Sequence, residues 1–449
     1  MRFLVIFLAL LMMVPALAED STRVDDGLLR VKLSSLGDLS RLDFSINGCY
    51  ALDGSADFRL ADESCAAIEA ENGQLWLNTA GLSIRLDESV TLTRHAQGGI
   101  EIDGRLYCGD LTLTARGDRL IPVLTIGVED YLLGVVGHEM SNSFPIEALK
   151  AQAVAARTYA MQKKSASAKR SYDLVDTTAD QVFRGFNPDH KNVIAAVEAT
   201  RGVVGTYEGE YAACYYTASN GGMIANPSEV WGGECGYIDA KPDPYDLENP
   251  RSMVSEITFR SDLSDCAKLR SMLENKAGGE VGEVLSIEVS GDEMLFTLDG
   301  GEVSLDVYDD IKDGLHLGLN RRDYERASVQ TTPDGFSIQL RGFGHCAGMS
   351  QRGAQWMAGE YGMGWEEILS FYYPGMTLEK IGWSGPEIEG FGSVTASVLN
   401  VREEPSVKAK VIGKLEEGQV VTVLGGEDWL NVRAGDQEGW VRAQYIDIN

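Results

Sequence analysis

The chain has little positive charge for its size. Its 449 residues include 39 lysines and arginines against 68 aspartates and glutamates, a formal net charge of -29 at pH 7. Proteins that bind nucleic acid or an anionic membrane electrostatically need a basic surface, so we expect neither partner. The acidic residues are spread along the chain rather than collected in a tail. This indicates a solvated surface and leaves uncharged carbohydrate or a cationic partner as compatible ligands.

Cysteine is scarce and irregularly placed. There are seven cysteines and no C-x-x-C spacing, so the sequence gives little support for zinc, and we predict no metal and no cofactor. The odd number leaves at least one thiol free or paired between chains. Disulfides can form in an exported protein, and Cys49 with Cys65 is the first pair to test, although the connectivity cannot be read from sequence.

Long apolar runs are missing after the first residues of the chain. Residues 1–18 begin with Arg2, continue with an apolar run from Phe3 to Val14 and end in Ala16-Leu-Ala18, which predicts a cleaved secretory signal peptide. The run is short for a bilayer span, and no cysteine follows to accept a lipid. We therefore expect a secreted protein that works outside the cytoplasmic membrane. An uncleaved membrane anchor is the alternative, because a single arginine is a weak basic flank.

The periodicity of apolar residues divides the rest of the chain into segments. Short runs such as Leu28–Leu33 and Ile121–Ile126 alternate apolar and polar residues, as strands do. We predict an α+β fold with a small all-β barrel at its C-terminal end. The predicted segments are a β-rich N-terminal part over residues 19–127, an α+β core over 128–383 with a strand-rich insertion at about 252–335, a linker over 384–392 and an all-β domain over 393–449.

The strongest helix signal follows Glu139. Pro145 stands near the start of a run of alanine and leucine that continues to Tyr159. Lys150 and Arg157 are seven positions apart and project from nearly the same face of this helix. Glu139 has apolar neighbours, and a carboxyl in such a setting can hold its proton above its usual pKa, as a general acid near neutral pH must. The alternative is that Glu139 caps the helix or pairs with Arg157.

Two glycine-rich loops follow downstream. In the first, Thr217-Ala-Ser-Asn-Gly-Gly222, the glycines allow unusual backbone angles and close approach of a substrate. In the second, Gly342 to Ala354, four glycines surround His345 ahead of a helix. Such a loop is costly in chain entropy and more often serves function than packing. The alternative is that His345 is buried and shapes the loop.

Four segments in this order resemble the SpoIID/LytB family, which is named for stage II sporulation protein D and an amidase enhancer. They span about residues 120–381 and are the stretch from Glu129 through Glu139-Met to Tyr159, Asp176-Thr-Thr-x-Asp-Gln-Val182, Ser219-Asn-Gly-Gly222 with Val230-Trp-Gly232, and Gly342-Phe-Gly-His345-x-x-Gly-Met-Ser-Gln-x-Gly-Ala354 with Tyr373-Pro-Gly375. The C-terminal unit resembles a bacterial SH3-like domain through Leu399-Asn-Val-Arg402, Trp429 and Gly439-Trp-Val441. Similar domains bind cell-wall peptides or polymers.

The resemblance implies a peptidoglycan lytic transglycosylase that cleaves glycan strands, especially strands without stem peptides. The glutamate before the methionine, Glu139, is implied to act as catalytic acid. It protonates the glycosidic oxygen and, as carboxylate, deprotonates the sugar's own 6-hydroxyl, which gives an anhydro sugar without water. A hydrolase would normally need a second carboxylate, for which Asp176 and Asp180 are candidates. The implied substrate-binding residues are Lys150, Arg157, Ser219, Gly221, Gly222, His345 and Gln351.

A second hypothesis is a non-catalytic module that binds cell-wall material and stimulates a partner amidase. The acidic charge counts mildly against it, because an anionic wall favours a basic anchor. Thr217 and Cys346 depart from the family pattern, and the Cys/His zinc ligands of some relatives have no match here. Trp231, Trp356 and Tyr373 are candidates for stacking on sugar faces, with core packing as the alternative. Nothing in the residues distinguishes sporulation from vegetative wall turnover.

Overall fold

The structure is a computed structural model. It describes residues 24–53, 58–95, 98–232, 235–319, 325–383, 390–426, 428–434 and 437–448. The predicted signal peptide and residues 384–389 of the predicted linker lie outside these ranges. Within them, the helices are all too short or too polar to cross a membrane. The chain forms two compact units: unit 1 contains Ser143–Ala155 and Gly205–Leu378, and unit 2 contains the residues up to Asn142, Ala156–Val204 and the residues from Glu379 onward.

Short strands fill the N-terminal part of unit 2. In chain order they are β1 (Val24–Asp25), β2 (Leu28–Lys32), β3 (Arg41–Asn47), β4 (Tyr50–Leu52), β5 (Arg59–Leu60), β6 (Cys65–Glu71), β7 (Gln74–Thr79), β8 (Leu82–Arg85), β9 (Ser89–Arg94), β10 (Gly99–Ile102), β11 (Arg105–Tyr107), β12 (Asp110–Arg116) and β13 (Arg119–Gly127). Buried residues alternate with half-buried ones along β13, where Leu120, Leu124 and Ile126 point inward. The predicted strand periodicity is thus present.

The middle of the chain contains the first helices. The elements are α1 (Val128–Glu139), α2 (Ile146–Ala166), β14 (Leu174–Val175), α3 (Lys191–Ala199), β15 (Val203–Tyr207), β16 (Glu210–Tyr211), β17 (Tyr216–Thr217), β18 (Met223–Ile224), α4 (Pro227–Trp231), β19 (Lys241–Pro242) and α5 (Pro244–Glu248). Strands β15 and β16 form a hairpin, since Thr206 pairs with Tyr211 and Tyr207 with Glu210. Helix α1 was not predicted. It forms because Val128, Tyr131, Leu132, Val135 and Val136 recur at helical spacing and are all buried.

Two sheets of unit 2, antiparallel except for the parallel β14–β2 pair, precede and support α1. One has the strand order β11-β10-β3-β6-β7-β8, and the other has the order β14-β2-β13-β12-β9-β4-β5. Strand β13 runs directly into α1, because Gly127 ends the strand and stands at the helix N-cap. Glu129 and Asp130 lie in the first turn, where negative charge stabilises the helix. The sheets therefore fix where α1 begins, and its length fixes where Glu139 lies.

The strand-rich insertion predicted at about 252–335 lies in unit 1 and has its own hydrophobic core. It contains β20 (Val254–Arg260), α6 (Ala267–Ala277), β21 (Val284–Ser290), β22 (Glu293–Leu298), β23 (Gly301–Asp306), a π-helical turn (Val307–Asp313), β24 (Arg326–Thr332) and β25 (Gly335–Arg341). Its two three-stranded sheets have the orders β20-β25-β24 and β21-β22-β23. Phe259, Leu269, Phe296 and Ile338 are buried between them.

The remaining elements of the core and the C-terminal domain complete the fold. They are β26 (Met349–Ser350), α7 (Gln351–Gly359), α8 (Trp365–Tyr372), β27 (Thr377–Lys380), β28 (Gly382–Trp383), β29 (Gly390–Val394), β30 (Val398–Arg402), β31 (Val411–Glu416), β32 (Val420–Gly426), β33 (Trp429–Ala434), β34 (Gln437–Arg442) and β35 (Ile446–Ile448). Strands β29 to β35 form one sheet around buried Val401, Leu415, Val432 and Val441. The predicted α+β class with a small all-β C-terminal domain is confirmed.

Candidate functional site

Glu139 is the last residue of α1 in unit 2. The chain becomes extended at Met140, with φ -125° and ψ 142°. The carboxyl is half-buried, and the Val182 N–H donates a hydrogen bond of 3.3 Å to its Oε1 atom. Met140 and Val136 beside it are buried. Glu139 therefore ends one helix rather than capping the next, and a backbone donor fixes one of its oxygens.

Arg157 has an internal role in this structure. Its side chain has no exposed surface. Its Nε donates to Glu129 Oε1 at 3.0 Å and its Nη2 to Glu129 Oε2 at 2.7 Å. Its Nη1 donates to the Val203 carbonyl at 3.1 Å. The ion pair that the sequence left open between Arg157 and Glu139 is replaced by this pair with Glu129. A buried guanidinium has no surface for direct contact with a substrate. The predicted substrate-binding role of Arg157 is therefore revised: in this structure it holds the Glu129 carboxyl in place.

The two candidate second carboxylates are both held by neighbouring residues. Asp176 is fully buried, accepts from the Ser35 N–H at 2.8 Å and the Ser35 hydroxyl, and has Arg184 Nη1 at 3.6 Å. Asp180 accepts from the Val175 N–H at 2.9 Å and pairs with Lys163 at 2.8 Å. Carboxylates engaged in this way are poorly placed to activate a water molecule.

Parallel pairing of β17 with β26 brings the two glycine-rich loops of unit 1 together. Ser219 and Phe343 exchange backbone hydrogen bonds of 3.2 and 2.8 Å. Gly221 has φ +68°, and a Cβ there would lie 2.5 Å from the Arg341 carbonyl oxygen. The close approach that Gly221 and Gly222 permit is therefore made at least partly by the chain itself. The sequence had assigned that approach to substrate.

Two buried aspartates organise these loops, and the sequence did not identify them as site residues. Asp246 accepts from the Ser219 hydroxyl at 2.9 Å, the Ser350 hydroxyl at 3.1 Å and the Gly222 N–H at 3.2 Å. Asp243 accepts from Asn220 Nδ2 at 2.7 Å. Burial raises the pKa of Asp243, although its hydrogen bonds partly offset this. An aspartate before a proline is an N-cap signature, and the side chain of Asp243 does cap α5, so that signal could have found it.

His345 lies beside a pair of aromatic side chains, exposed Trp231 and half-buried Tyr215. Its ring centroid is 4.6 Å from that of Trp231, which in turn is 4.4 Å from that of Tyr215. Its Nδ1 accepts from the Ala347 N–H at 3.1 Å. Burial lowers the pKa of His345 to about 4, with the Tyr216 backbone acting in the opposite direction. The imidazole is therefore neutral at pH 7, where it can donate and accept hydrogen bonds.

The three aromatic candidates for sugar stacking differ in accessibility. Trp231 is 45% exposed. Tyr373 is buried and donates its hydroxyl to the Tyr215 carbonyl at 2.6 Å, and Trp356 is half-buried. Phe343, which the sequence did not single out, is 39% exposed. Trp231 and Phe343 are therefore the aromatic side chains of these loops that a ligand could reach.

Lys150 and Gln351, also in unit 1, are placed differently from each other. Lys150 is partly exposed, and its Nζ pairs with Glu147 Oε1 at 2.7 Å. Gln351 is buried at the start of α7, with its Nε2 3.5 Å from Gln152 Oε1. Lys150 is therefore the more accessible of these two predicted binding residues.

The cysteines are free thiols in the structure. The Cys49–Cys65 disulfide that was first to be tested is therefore not formed. Within the described ranges, histidine, cysteine, aspartate and glutamate side chains do not gather into groups of three or more that could hold a metal ion.

Comparisons with known proteins match most of the chain. The family described as Stage II sporulation protein matches residues 116–207, and the family described as Bacterial SH3 domain matches residues 397–447. Stage II sporulation protein D of Bacillus amyloliquefaciens is 30% identical over 275 residues, which cover 58% of this chain and 76% of the relative. Stage II sporulation protein D of Bacillus subtilis is 27% identical over 318 residues, covering 67% and 88%. The amidase enhancer of Bacillus subtilis is 29% identical over 373 residues, covering 72% of this chain but only 51% of that longer relative.

Proposed function

The chain belongs to the stage II sporulation protein D family, and from this membership we propose that it is a peptidoglycan lytic transglycosylase with Glu139 as its general acid and base. The observation that carries the proposal is the setting of Glu139. Its carboxyl is half-buried at the end of a buried helix, and one oxygen is fixed by the Val182 N–H. An oriented carboxyl of this kind suits proton transfer to a glycosidic oxygen.

The environment of Asp176 and Asp180 favours lysis over hydrolysis. Two-carboxylate glycosidases use the second group as nucleophile or as base for water. Asp176 has no exposed surface, and Asp180 is engaged by Lys163. With one working carboxyl, Glu139 donates its proton to the leaving oxygen and then removes the proton of the sugar's 6-hydroxyl. The 6-oxygen closes on the anomeric carbon, and an anhydro-ended strand leaves.

The loops of unit 1 supply groups suited to binding sugars. Trp231 and Phe343 expose apolar ring surface of the kind on which sugar faces stack. His345 packs its ring beside Trp231, and its hydrogen bond from the Ala347 N–H fixes that ring at the edge of the aromatic surface. The Asp246 carboxylate accepts from the Ser219 hydroxyl in the first loop and from the Ser350 hydroxyl at the end of the second. Ser219, Gly221 and Gly222 then act through the shape of their loop.

The C-terminal SH3-like domain fits a protein that works on the wall. The substrate we propose is the glycan strand, especially strands without stem peptides, and the place of action is outside the cytoplasmic membrane. Membership of a cell-wall family and the bacterial SH3 domain support both. No metal or cofactor enters this mechanism.

The test of the proposed function is the substitution Glu139→Gln. The glutamine keeps an oxygen for the Val182 N–H but cannot transfer a proton, so release of anhydro-ended products from denuded strands should fall by about 10²–10⁴-fold. Product masses distinguish lysis from hydrolysis, because hydrolysis adds one water. Glu88→Gln, at an exposed position, is the matched control. Full activity of Glu139→Gln would rule the mechanism out.

The relative named amidase enhancer favours a second candidate function, a non-catalytic activator of a partner amidase. In that case the wild-type protein would bind strands, release no products and accelerate an amidase. An amidase assay in parallel with the product analysis separates the two candidates.

A further inference from the structure

Unit 2 contains a depression that neither the mechanism nor the resemblance uses. Its volume is about 450 Å³, within the range of small-molecule sites. It is formed by the C-terminal half of α1, the β10–β11 hairpin and the segment after Phe183. Its lining includes Arg105, Arg184, His138 and His190, with Glu101 as the acidic member. We call this depression the basic pocket.

The positively charged residues of the pocket lining are unusual for this acidic chain. The protein carries a formal charge of -29, yet two guanidinium groups and two imidazoles face the same space. Burial, Arg184 and Arg105, in that order, lower the pKa of His138. Both arginine charges therefore act on His138 inside the pocket.

Arg184 is held in place rather than free to swing. Its Nη1 donates to the Asp176 and Phe183 carbonyls at 2.6 and 2.8 Å. The Asp176 carboxylate lies 3.6 Å away and offsets part of its charge. Arg105 is exposed at the start of β11. One fixed and one accessible guanidinium at a pocket are suited to an anionic group that accepts paired hydrogen bonds.

The basic pocket adjoins Glu139 along two chain segments. His138 precedes Glu139, so their Cα atoms are about 3.8 Å apart. The Val182 N–H bonds to Glu139, and Arg184 follows Val182 by two residues. Glu139 itself is not among the residues that line the pocket, so the two are linked through these shared segments rather than through a common surface. On the opposite wall, the His190 ring packs against Gly137, where a Cβ would lie 2.5 Å from its Nδ1.

We propose that the basic pocket is a carboxylate subsite for peptidoglycan. The assignment rests on the proposed function, because carboxylates are the anionic groups that a protein acting on peptidoglycan glycan strands would meet. Two sources share this chemistry. One is the lactyl carboxylate of a muramic acid that carries no peptide, and the other is a carboxylate of a stem peptide. In a peptide-bearing strand the lactyl group is an amide, so its charge is lost.

The test measures binding of three soluble ligands to the full chain by calorimetry. They are a muramic-acid disaccharide with a free lactyl group, the same disaccharide as its methylamide, and the disaccharide bearing a stem peptide. The proteins are wild type, Arg105→Gln and the control Arg116→Gln, which removes an exposed charge outside the pocket. Loss of a charge-assisted hydrogen bond should weaken binding of one acidic ligand about tenfold in Arg105→Gln.

The identity of the weakened ligand gives the source of the carboxylate. A loss for the free disaccharide assigns the lactyl group, and a loss for the peptide-bearing ligand assigns the peptide. The methylamide should bind wild type and Arg105→Gln alike. Two results would overturn the proposal: equal binding of all three ligands by wild type, or Arg105→Gln behaving as Arg116→Gln does. His138→Asn, at an exposed position, is a second variant that should weaken the same ligand.

The subsite and the proposed activity can fail separately. If wild type discriminates the acidic ligands through Arg105 but releases no anhydro product, the subsite stands and the transglycosylase activity does not. If it releases product while binding is indifferent to the carboxylate, the activity stands and the subsite does not.

Discussion

Arg157 and Lys150 illustrate how far sequence spacing determines the role of a residue. Seven positions apart on α2, they are expected on one helical face. Lys150 is partly exposed beside Glu147, whereas Arg157 is fully buried and bidentate to Glu129. Spacing predicts which face of the helix a side chain projects from. It does not predict which other parts of the chain pack against that side chain. Gly202, whose N–H also donates to Glu129 Oε1 at 3.0 Å, belongs to a distant part of the sequence.

The buried pair yields a prediction about stability. In Arg157→Leu the Glu129 carboxylate stays buried without its cation, so the free energy of unfolding should fall by about 3–5 kcal/mol. Denaturant titration followed by tryptophan fluorescence measures this. The control is Arg119→Leu, whose partner Asp38 is exposed, and its cost should stay below about 1 kcal/mol. Adding Glu129→Leu to Arg157→Leu should recover part of the loss. An unchanged unfolding midpoint in Arg157→Leu would contradict a structural role for the pair.

At the scale of elements, helices and strands with a regular apolar pattern could be predicted from the sequence. Contacts between segments that are far apart in the chain could not. The alternating strands, the hairpin at Thr206–Tyr211 and the helix after Pro145 follow from local pattern. Helix α1 was missed because nearly every residue from Leu132 to Val136 is apolar, which hides the polar face of an amphipathic helix. Glu139 could be selected from sequence, but its bond to Val182 depends on a tertiary contact.

The loops of unit 1 show the same limit. The glycines and His345 marked them, and the parallel β17–β26 pair that joins them is a contact between residues 133 positions apart, Tyr216 and Met349. Asp246, the acceptor for both loops, could not be selected because buried and solvated aspartates look alike in sequence. The basic pocket was likewise hidden, since Arg105 and His138 come from different elements.

His345 makes the free energy of unfolding depend on pH, and the direction of that dependence follows from its pKa. Its pKa is about 4 in the folded chain against an ordinary 6.5. Above about pH 6.5 the imidazole is neutral in both states and contributes no pH dependence. Between these values the unfolded chain binds a proton that the folded chain does not. The free energy of unfolding therefore falls as the pH is lowered, by on the order of 3 kcal/mol in total.

The variant His345→Asn isolates this contribution. Its amide oxygen can accept from the Ala347 N–H as Nδ1 does, but it does not titrate. Asp243, whose raised pKa acts in the opposite direction, is present in both proteins and cancels in the difference. Unfolding midpoints at about pH 7.5 and pH 4.5 should show wild type losing stability relative to the variant. Parallel pH profiles would exclude the assigned pKa shift.

For the whole molecule, net charge and local charge point in different directions. The formal charge of -29 repels anionic polymers at long range, while the basic pocket attracts an anion within its own few ångströms. At physiological ionic strength charges are screened beyond about 8 Å, so the local attraction is not overruled by the distant surface. An acidic protein can therefore bind an anionic wall if its contacts are short-ranged, as in a pocket or a separate binding domain.

The C-terminal domain is the element expected to provide wall attachment. Residues from Val394 to Ile446 enclose their own apolar core, so a chain that ends at residue 389 should keep the rest of the fold. Two linked contacts bind more tightly than one, and removing the domain should weaken binding to whole sacculi about tenfold or more. Cleavage of short soluble strands should change little, since Glu139 is untouched. Both chains carry Glu139→Gln in the binding assay, so that digestion does not alter the sacculi. Equal binding of the full and shortened chains would place wall attachment outside the SH3-like domain.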